Sequence, residues 1–231
     1  MRNILATVAI ALFAGFAGAA AWDYSGLGPE RTRDYLMANP EVLPEAMGEL
    51  QRRDMMARVE PLRDELEMPY PGAVLGNPDG ALTLVEFSDY ACGFCRQSLE
   101  HVNQLIAENP DLRVVIREYP ILSAGSADAA RMALAAADQG KFEAFHNAMF
   151  AQDGLSAETI EAAAQQAGLD LAAANAAIGS GAYEAQLQNN VFLGQSLRIA
   201  GTPAFIVGEQ VHDGAVGVEL LSEAIAEARD S

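Results

Sequence analysis

Residues 87–95 read Phe-Ser-Asp-Tyr-Ala-Cys-Gly-Phe-Cys, and within them an apolar strand pattern gives way to a helical pattern. The protein's two cysteines, Cys92 and Cys95, lie at this junction with two residues between them. The first turn of a helix carries unpaired N–H groups and the positive end of the helix dipole, and both favour an anion. We therefore expect Cys92 to ionise more easily than a free thiol and to attack disulfides, while Cys95 resolves the mixed disulfide.

The composition limits the class of protein. The chain has 231 residues, of which 51% are hydrophobic, so it can bury one core and favours a single domain with an appendage. A net charge of −18 argues against nucleic acid and anionic lipid as partners. The histidines His101, His146 and His212 are not spaced for metal ligation, so we predict no metal site. No cofactor is expected beyond a redox-active disulfide between Cys92 and Cys95.

The N-terminus has the pattern of an export signal. Arg2 precedes an apolar run over residues 4–16, and small residues follow it. We predict that residues 1–21 are a signal peptide cleaved after Ala19 or Ala21, and that the mature protein is periplasmic. The alternative, a membrane anchor, needs about 20 apolar residues. Disulfides persist outside the cytoplasm, so the cysteine pair is interpreted as chemistry rather than as scaffolding.

Residues 22–71 are predicted to form an N-terminal helical arm. A first helix is expected to end at Ala38, and a second is expected to begin with Asn39 as its N-cap and Pro40 as its first residue. Pro61 removes a backbone donor and should kink or split the second helix.

The second helix of the arm carries an apolar stripe. Its members recur mostly at three- and four-residue intervals: Leu43, Met47, Leu50, Met56, Val59, Leu62 and Leu66. The stripe either packs on its own domain or packs on the same arm of other subunits. We favour the second alternative, because an uncovered stripe exposes a larger apolar patch than soluble monomers usually tolerate. A homo-oligomer is therefore predicted.

Residues 72–231 are predicted to form the main domain. Leu82–Phe87 is nearly continuous apolar sequence, as expected for a central strand, and Glu86 is its exception. The helix that begins at Cys92 and the next strand, over residues 112–119, complete a βαβ unit with parallel strands. Alanine-rich helical segments form an insertion over about residues 126–200, and a β-hairpin and a final helix follow.

These residues together resemble a known family. The strand Val85-Glu86-Phe87, the motif Cys92-Gly93-Phe94-Cys95, the helical insertion and Thr202-Pro203 before a hairpin are similar to the DsbA family of thioredoxin-fold proteins. The resemblance covers roughly Val74 to the C-terminus. It implies an α/β, thioredoxin-like fold with an inserted helical subdomain, preceded by the N-terminal arm.

The arm extends the resemblance to one subgroup of that family. Three motifs are similar to the subgroup with an N-terminal helical stalk, typified by ScsC, suppressor of copper sensitivity: Asp34-Tyr35-Leu36, Asn39-Pro40-Glu41-Val42-Leu43 and Leu75-Gly76-Asn77-Pro78-Asp79-Gly80. In that subgroup the stalks can trimerise and the catalytic domains can isomerise disulfides. The resemblance therefore favours a trimer among the possible homo-oligomers.

The resemblance also implies roles for single residues. Cys92 is the nucleophile and Cys95 the resolving thiol, and Pro203 occupies the position of a cis-proline facing the disulfide, with Thr202 before it. An extended substrate chain could pair with the backbone edge beside the sulfur. The alternative for Pro203 is a proline that simply begins a strand.

Glu86 matches the buried acid that the family places beneath the active site. Its pKa should be raised, and it could exchange a proton with Cys95. The alternative is a strand glutamate on a solvated edge. Gly93 and Phe94 lie between the cysteines and are expected to tune the redox poise. The family's oxidase prototype has histidine where this chain has Phe94, which argues against a strongly oxidising character.

Two functions of different classes follow. The leading hypothesis is an enzyme, an exported protein thiol–disulfide oxidoreductase that isomerises or oxidises disulfides in cysteine-containing exported proteins and is recycled by a membrane redox partner. The alternative is a copper(I)-binding periplasmic chaperone that uses the thiolates of Cys92 and Cys95 as ligands.

Overall fold

The computed structural model describes residues 2–24 and 29–230, which fall into two compact units, Met1–Gln51 and Arg52–Ser231. Parts of the predicted leader, arm and domain therefore lie outside the described residues, namely Met1, residues 25–28 and Ser231. Helix α1 spans Arg2–Tyr24. Within the described part of the chain, no helix combines the length and the apolar character needed to cross a membrane.

The arm begins with α2, Pro29–Ala38, and continues with α3, Val42–Val59. The prediction that Asn39 is the N-cap of the second helix is wrong. The side-chain amide of Asn39 instead donates to the carbonyl O of Tyr35 at 2.9 Å, so it satisfies the end of α2. Pro40 therefore lies in the turn between the helices, and α3 begins at Val42.

The break predicted at Pro61 is confirmed. Helix α3 ends at Val59, a 3₁₀ turn covers Glu60–Leu62, and the short helix α4 spans Arg63–Glu67. Proline lacks the N–H that would continue the α-helical ladder, and its ring crowds the preceding turn. The chain consequently changes helical geometry at this point.

The sheet has the order β1-β3-β2-β4-β5. Its strands are β1 Val74–Gly76, β2 Leu82–Ser88, β3 Leu112–Glu118, β4 Ala204–Val207 and β5 Gln210–Asp213. Strands β2 and β3 are parallel, as the predicted βαβ unit requires, and the other neighbouring pairs are antiparallel. Strand β1 is not predicted from the sequence, because a three-residue edge strand has too few positions to show alternation.

Helix α5, Gly93–Glu108, connects the parallel strands. The predicted helical insertion is confirmed, and its helices are α6 Ala124–Asp138, α7 Phe142–Phe150, α8 Ala157–Gln166, α9 Leu171–Gly179 and α10 Glu184–Ser196. The chain ends in α11, Val218–Asp230. Capping boxes at Ser123 and Ser156 start α6 and α8, where the side chain of each cap accepts from a backbone N–H three residues on.

Buried side chains cover both faces of the sheet, which is why β2 reads as continuous apolar sequence. On one face Leu84 and Ile116 belong to a cluster that includes Val102 and Leu105 of α5. The same cluster contains the inner residues of the insertion helices. On the opposite face Phe87 and Val115 pack in a second cluster.

The C-terminal end of the arm's stripe belongs to this second cluster. Val59 and Leu66 are buried with Phe87, so the second compact unit begins at Arg52, earlier than the boundary predicted after residue 71. The N-terminal part of the stripe differs, since Leu43, Met47 and Leu50 are exposed. Packing on its own domain therefore holds for Val59 and Leu66, and packing on other subunits stays a prediction for the exposed part of the stripe.

Arg117 anchors the end of the arm to the sheet. Its guanidinium donates to the carbonyl O of Leu66 at 3.0 Å and also to the carbonyls of Glu65 and Met68. Burial lowers the pKa of Arg117 to about 10. A guanidinium has five N–H donors, so one side chain can satisfy several carbonyls at the C-terminal end of α4.

Candidate active site

Cys92 is the N-cap of α5. Its backbone is extended, with φ −85° and ψ 114°, and its Sγ accepts a hydrogen bond from the N–H of Cys95 at 3.3 Å. Cys92 is 6% exposed and Cys95 only 1%, and both are free thiols. Both residues are therefore buried, with Cys92 the more exposed of the two and Cys95 one turn further along the helix.

The peptide bond between Thr202 and Pro203 is cis, as the resemblance implied. The thiol of Cys92 donates to the carbonyl O of Thr202 at 3.2 Å. Strand β4 begins directly after Pro203, and its antiparallel pairing with β2 brings this loop to the helix N-terminus. Within the described residues the buried hydroxyl of Thr202 has no hydrogen-bond partner.

Glu86 lies on β2 and is 2% exposed, so the alternative of a solvated edge position is wrong. Burial raises the pKa of Glu86 to about 8. Burial, and next the charge of Glu86, raise the pKa of the Cys95 thiol well above its ordinary value. The site therefore places a carboxyl with a raised pKa close enough to the inner thiol for its charge to act on that thiol.

The two residues between the cysteines face outward. Phe94 is 62% exposed, and a side chain added at Gly93 would meet open space. The phenyl ring of Phe94 is thus an exposed apolar group two residues from Cys92. Their role in tuning the redox poise stays a prediction.

Asp89 is a buried site residue that is not predicted from the sequence. Its carboxylate accepts from the N–H of Ala91 at 2.8 Å, and from the N–H groups of Ile121 at 2.9 Å and Leu122 at 3.0 Å. It therefore ties the loop before Cys92 to the loop after β3. The contact two residues on is a local Asx turn that an Asp can signal, but the other two depend on chain far away in sequence.

Close to Asp89, the side chains of Tyr90, Glu118 and His146 form a second buried polar cluster. The hydroxyl of Tyr90 is 3.0 Å from Oε1 of Glu118 and 3.0 Å from Nδ1 of His146. Burial raises the pKa of Glu118 well above its ordinary value and lowers the pKa of His146 to about 3. From the sequence, His146 is a candidate only for metal ligation, and nothing in the spacing of Tyr90, Glu118 and His146 predicts that they meet.

The histidines do not converge. Nδ1 of His101 lies 3.3 Å from the carbonyl O of Val216, His146 contacts Tyr90, and His212 pairs with Phe205 in the terminal hairpin. Across residues 2–24 and 29–230, no group of three or more His, Cys, Asp or Glu side chains could hold a metal ion.

A cysteine at a helix N-terminus, a second cysteine one turn on and a cis-proline loop facing the first sulfur define a thioredoxin-fold oxidoreductase site. The family model described as DSBA-like thioredoxin domain matches residues 83–226, and the chain belongs to this family. A second model, described as copper resistance protein ScsC N-terminal domain, matches residues 31–55. The resemblance to DsbA with an ScsC-like stalk is thereby confirmed, as is the predicted fold.

Solved structures support the assignment. A thioredoxin-like oxidoreductase from Silicibacter pomeroyi DSS-3 is 39% identical with a TM-score of 0.69, and the match covers 73% of this chain and 98% of that one. BcfH of Salmonella enterica Typhimurium is 29% identical with a TM-score of 0.66, and the match covers 93% of this chain and 99% of BcfH. The catalytic domain of Proteus mirabilis ScsC is 25% identical with a TM-score of 0.67, covering 76% and 99%.

Curated relatives contain the domain within a longer protein. The Na⁺/H⁺ antiporter NhaA 3 of Salinispora tropica is 29% identical over 178 residues, which is 76% of this chain and 26% of that protein. The chain thus spans about a quarter of the length of that relative.

Proposed function

We propose that the protein catalyses thiol–disulfide exchange in cysteine-containing exported proteins through Cys92 and Cys95. The observation that carries this proposal is the position of the Cys92 sulfur. It accepts the N–H of Cys95 at the start of α5 and faces the carbonyl of Thr202 in the cis-proline loop. The sulfur of Cys92 would thus meet the substrate, and the more deeply buried sulfur of Cys95 would resolve the mixed disulfide.

In the first step, Sγ of Cys92 attacks a substrate disulfide as the thiolate. A bond forms between Cys92 and one substrate sulfur, the substrate S–S bond breaks, and the other substrate sulfur leaves as a thiolate. An extended substrate segment beside Thr202 and Pro203 would hold its sulfur near Cys92. The exposed ring of Phe94 would contact apolar side chains of the same segment.

In the second step, Glu86 accepts the proton of the Cys95 thiol. The resulting thiolate attacks Sγ of Cys92, so that the Cys92–Cys95 disulfide forms and the substrate leaves as a thiolate. A carboxyl with a pKa of about 8 is suited to this exchange, because proton transfer is most effective when the pKa lies near the working pH. In isomerisation a substrate thiolate attacks the mixed disulfide instead, and Cys92 is released reduced.

We infer that isomerisation is the main activity, because the arm favours an oligomer. Apolar side chains at the N-terminal end of the arm are exposed, among them Met47 at 61% and Leu50 at 59%. These positions fall within residues 31–55, which match the ScsC N-terminal domain. A homo-oligomer, with a trimer favoured, would surround one client with several sites and would restrict access by the membrane partner that reoxidises the pair.

The proposed compartment is the periplasm. It is supported by the signal-like pattern of residues 1–21 and by the likeness to a periplasmic thioredoxin-like protein from Salmonella enterica serovar Typhimurium, 26% identical with a TM-score of 0.64. The chemistry requires no cofactor beyond the redox-active pair. An oxidising compartment allows that pair to cycle.

The proposal is tested by refolding scrambled ribonuclease with catalytic amounts of the protein in a glutathione buffer. We expect recovery of ribonuclease activity with the wild type and none with Cys92→Ser. Cys95→Ser should trap mixed disulfides with the client. No recovery with the wild type, together with stoichiometric copper(I) binding abolished by Cys92→Ser, would instead favour the copper chaperone.

A further inference from the structure

Two buried carboxyl groups lie on one face of the sheet. Side chains alternate along a strand, so Glu86 shares the face of Leu84, and Glu118 shares the face of Ile116. In the parallel register Glu86 is opposite Ile116 and Ser88 is opposite Glu118, which makes the two carboxyls diagonal neighbours. Two like charges this close in a buried site oppose each other's ionisation.

The hydroxyl of Tyr90 joins Glu118 to His146, with 3.0 Å to each. A tyrosine hydroxyl has one proton, so it donates to one of these neighbours and accepts from the other. The chain of hydrogen bonds therefore has two directions. It runs from a protonated Glu118 through Tyr90 to Nδ1 of His146, or from an Nδ1–H of His146 through Tyr90 to a carboxyl oxygen of Glu118, which accepts best when it is ionised.

The surroundings favour the first direction. Glu118 and His146 are both 1% exposed, and burial disfavours the charged form of each. Burial is the largest effect on the pKa of Glu118 and raises it, a hydrogen bond donated by Tyr90 lowers it, and the charges of Asp89 and Glu86 raise it further. His146 reaches Glu118 only through Tyr90. A protonated Glu118 donates to Tyr90, which in turn donates to a neutral imidazole.

We propose that Tyr90 and His146 are positioning residues that keep the carboxyl of Glu118 neutral, so that Glu86 alone exchanges a proton with Cys95. This rests on the proposed thiol–disulfide exchange. The Cys95 proton moves to the Glu86 carboxylate, the Cys95 thiolate attacks Sγ of Cys92, and the substrate thiolate leaves. A second negative charge on Glu118 would oppose both the ionised state of Glu86 and the thiolate.

Substitutions at His146 separate this role from packing. His146 lies among the rings of Phe142 and Phe150, with centroids at 5.6 Å and 4.9 Å, so phenylalanine suits the site. In His146→Phe the acceptor is lost, Tyr90 is free to donate to Glu118, and a hydrogen bond to the carboxylate favours its charged form. In His146→Asn the amide oxygen can replace Nδ1 as the acceptor.

The readout is the pH dependence of mixed-disulfide resolution. A disulfide is formed between Cys92 and glutathione, and the release of glutathione by Cys95 is followed in a single turnover. We expect the midpoint to rise by about one pH unit in His146→Phe, as a nearby like charge would cause. In His146→Asn the midpoint should stay within roughly 0.3 pH units of the wild-type midpoint. In the double variant His146→Phe/Glu118→Gln the midpoint should return to the wild-type value. A midpoint that does not move in His146→Phe, or a shift that persists when Glu118 is glutamine, would overturn the proposal.

An infrared measurement tests the same claim without the exchange reaction. The difference between the wild type and Glu118→Gln near pH 7 should contain the carbonyl band of a protonated carboxyl. Absence of that band would show an ionised Glu118 and would also overturn the proposal, even if His146→Phe did not fold. If the band is present but the protein exchanges no disulfides, the proposed function is refuted, while the protonation of Glu118 still stands.

Discussion

Replacing Glu86 by glutamine is expected to stabilise the reduced protein at neutral pH and to have much less effect in acid. Burial raises the pKa of Glu86 from its ordinary value of 4.5 to about 8. Below the ordinary value, the carboxyl is protonated in both the folded and the unfolded chain. At pH values between the unfolded-chain pKa of 4.5 and the folded-chain pKa of about 8, the folded chain holds a proton that the unfolded chain has released. The free energy of unfolding therefore falls as the pH rises.

The magnitude follows from this interval. Each pH unit within it removes about 1.4 kcal/mol of stability, since the folded and unfolded states differ by one bound proton. From pH 5 to pH 7.5 the loss attributable to Glu86 is therefore about 3 kcal/mol as an upper estimate. Glutamine carries no titrating proton, so the variant should lack this part of the pH dependence. Any change in packing free energy that is the same at both pH values cancels when the stability difference between wild type and variant is compared at the two pH values.

The assay is urea unfolding of wild type and Glu86→Gln at both pH values, followed by far-ultraviolet circular dichroism with the thiols kept reduced. Glu100→Gln, an exposed change on α5, is the matched control. The stability gained by Glu86→Gln should grow by about 3 kcal/mol between pH 5 and pH 7.5, with no such growth in the control. An equal gain at both pH values would refute the assignment of a proton to Glu86.

Three further outcomes are expected. Leu66→Ala should cost roughly 2–5 kcal/mol of stability in thermal or urea unfolding, because Leu66 is buried in the core. The control Met68→Ala should cost little, because Met68 is exposed. Equal losses in the two variants would contradict the packing of the arm on the sheet. Asp89→Asn should cost roughly 2 kcal/mol, because an amide cannot accept all three backbone N–H groups that the carboxylate holds; unchanged unfolding would count against that loop clamp. Deleting residues 22–51 should give a folded monomer by light scattering, and an unchanged subunit number would refute assembly through the arm.

The cut in this deletion depends on the tertiary structure. The apolar stripe reads as one continuous pattern from Leu43 to Leu66, and periodicity cannot tell which partner covers each part. Only the fold shows that Val59 and Leu66 lie against Phe87 of β2. A deletion to residue 67 would remove core side chains, so loss of assembly could not be separated from loss of stability.

Local patterns were enough for most elements. The apolar run of β2, the helix after Cys92, the parallel strand β3, the helical insertion and the hairpin were all predicted because each is long or strongly patterned. The edge strand β1 was too short to carry such a pattern. Asn39 was misassigned because an amide can bond either the carbonyls of a preceding helix or the N–H groups of a following one, and the choice lies in three dimensions.

The amino-acid sequence by itself identified the residues at the centre of the site. Local spacing places Cys92 and Cys95 at a strand-to-helix junction, and the resemblance to the DsbA family adds Glu86 and Pro203. The tertiary structure alone decided that Glu118 and His146 meet through Tyr90. Their contact depends on the packing of α7 against the sheet, and burial, which shifts their pKa values, exists only once the layers have closed.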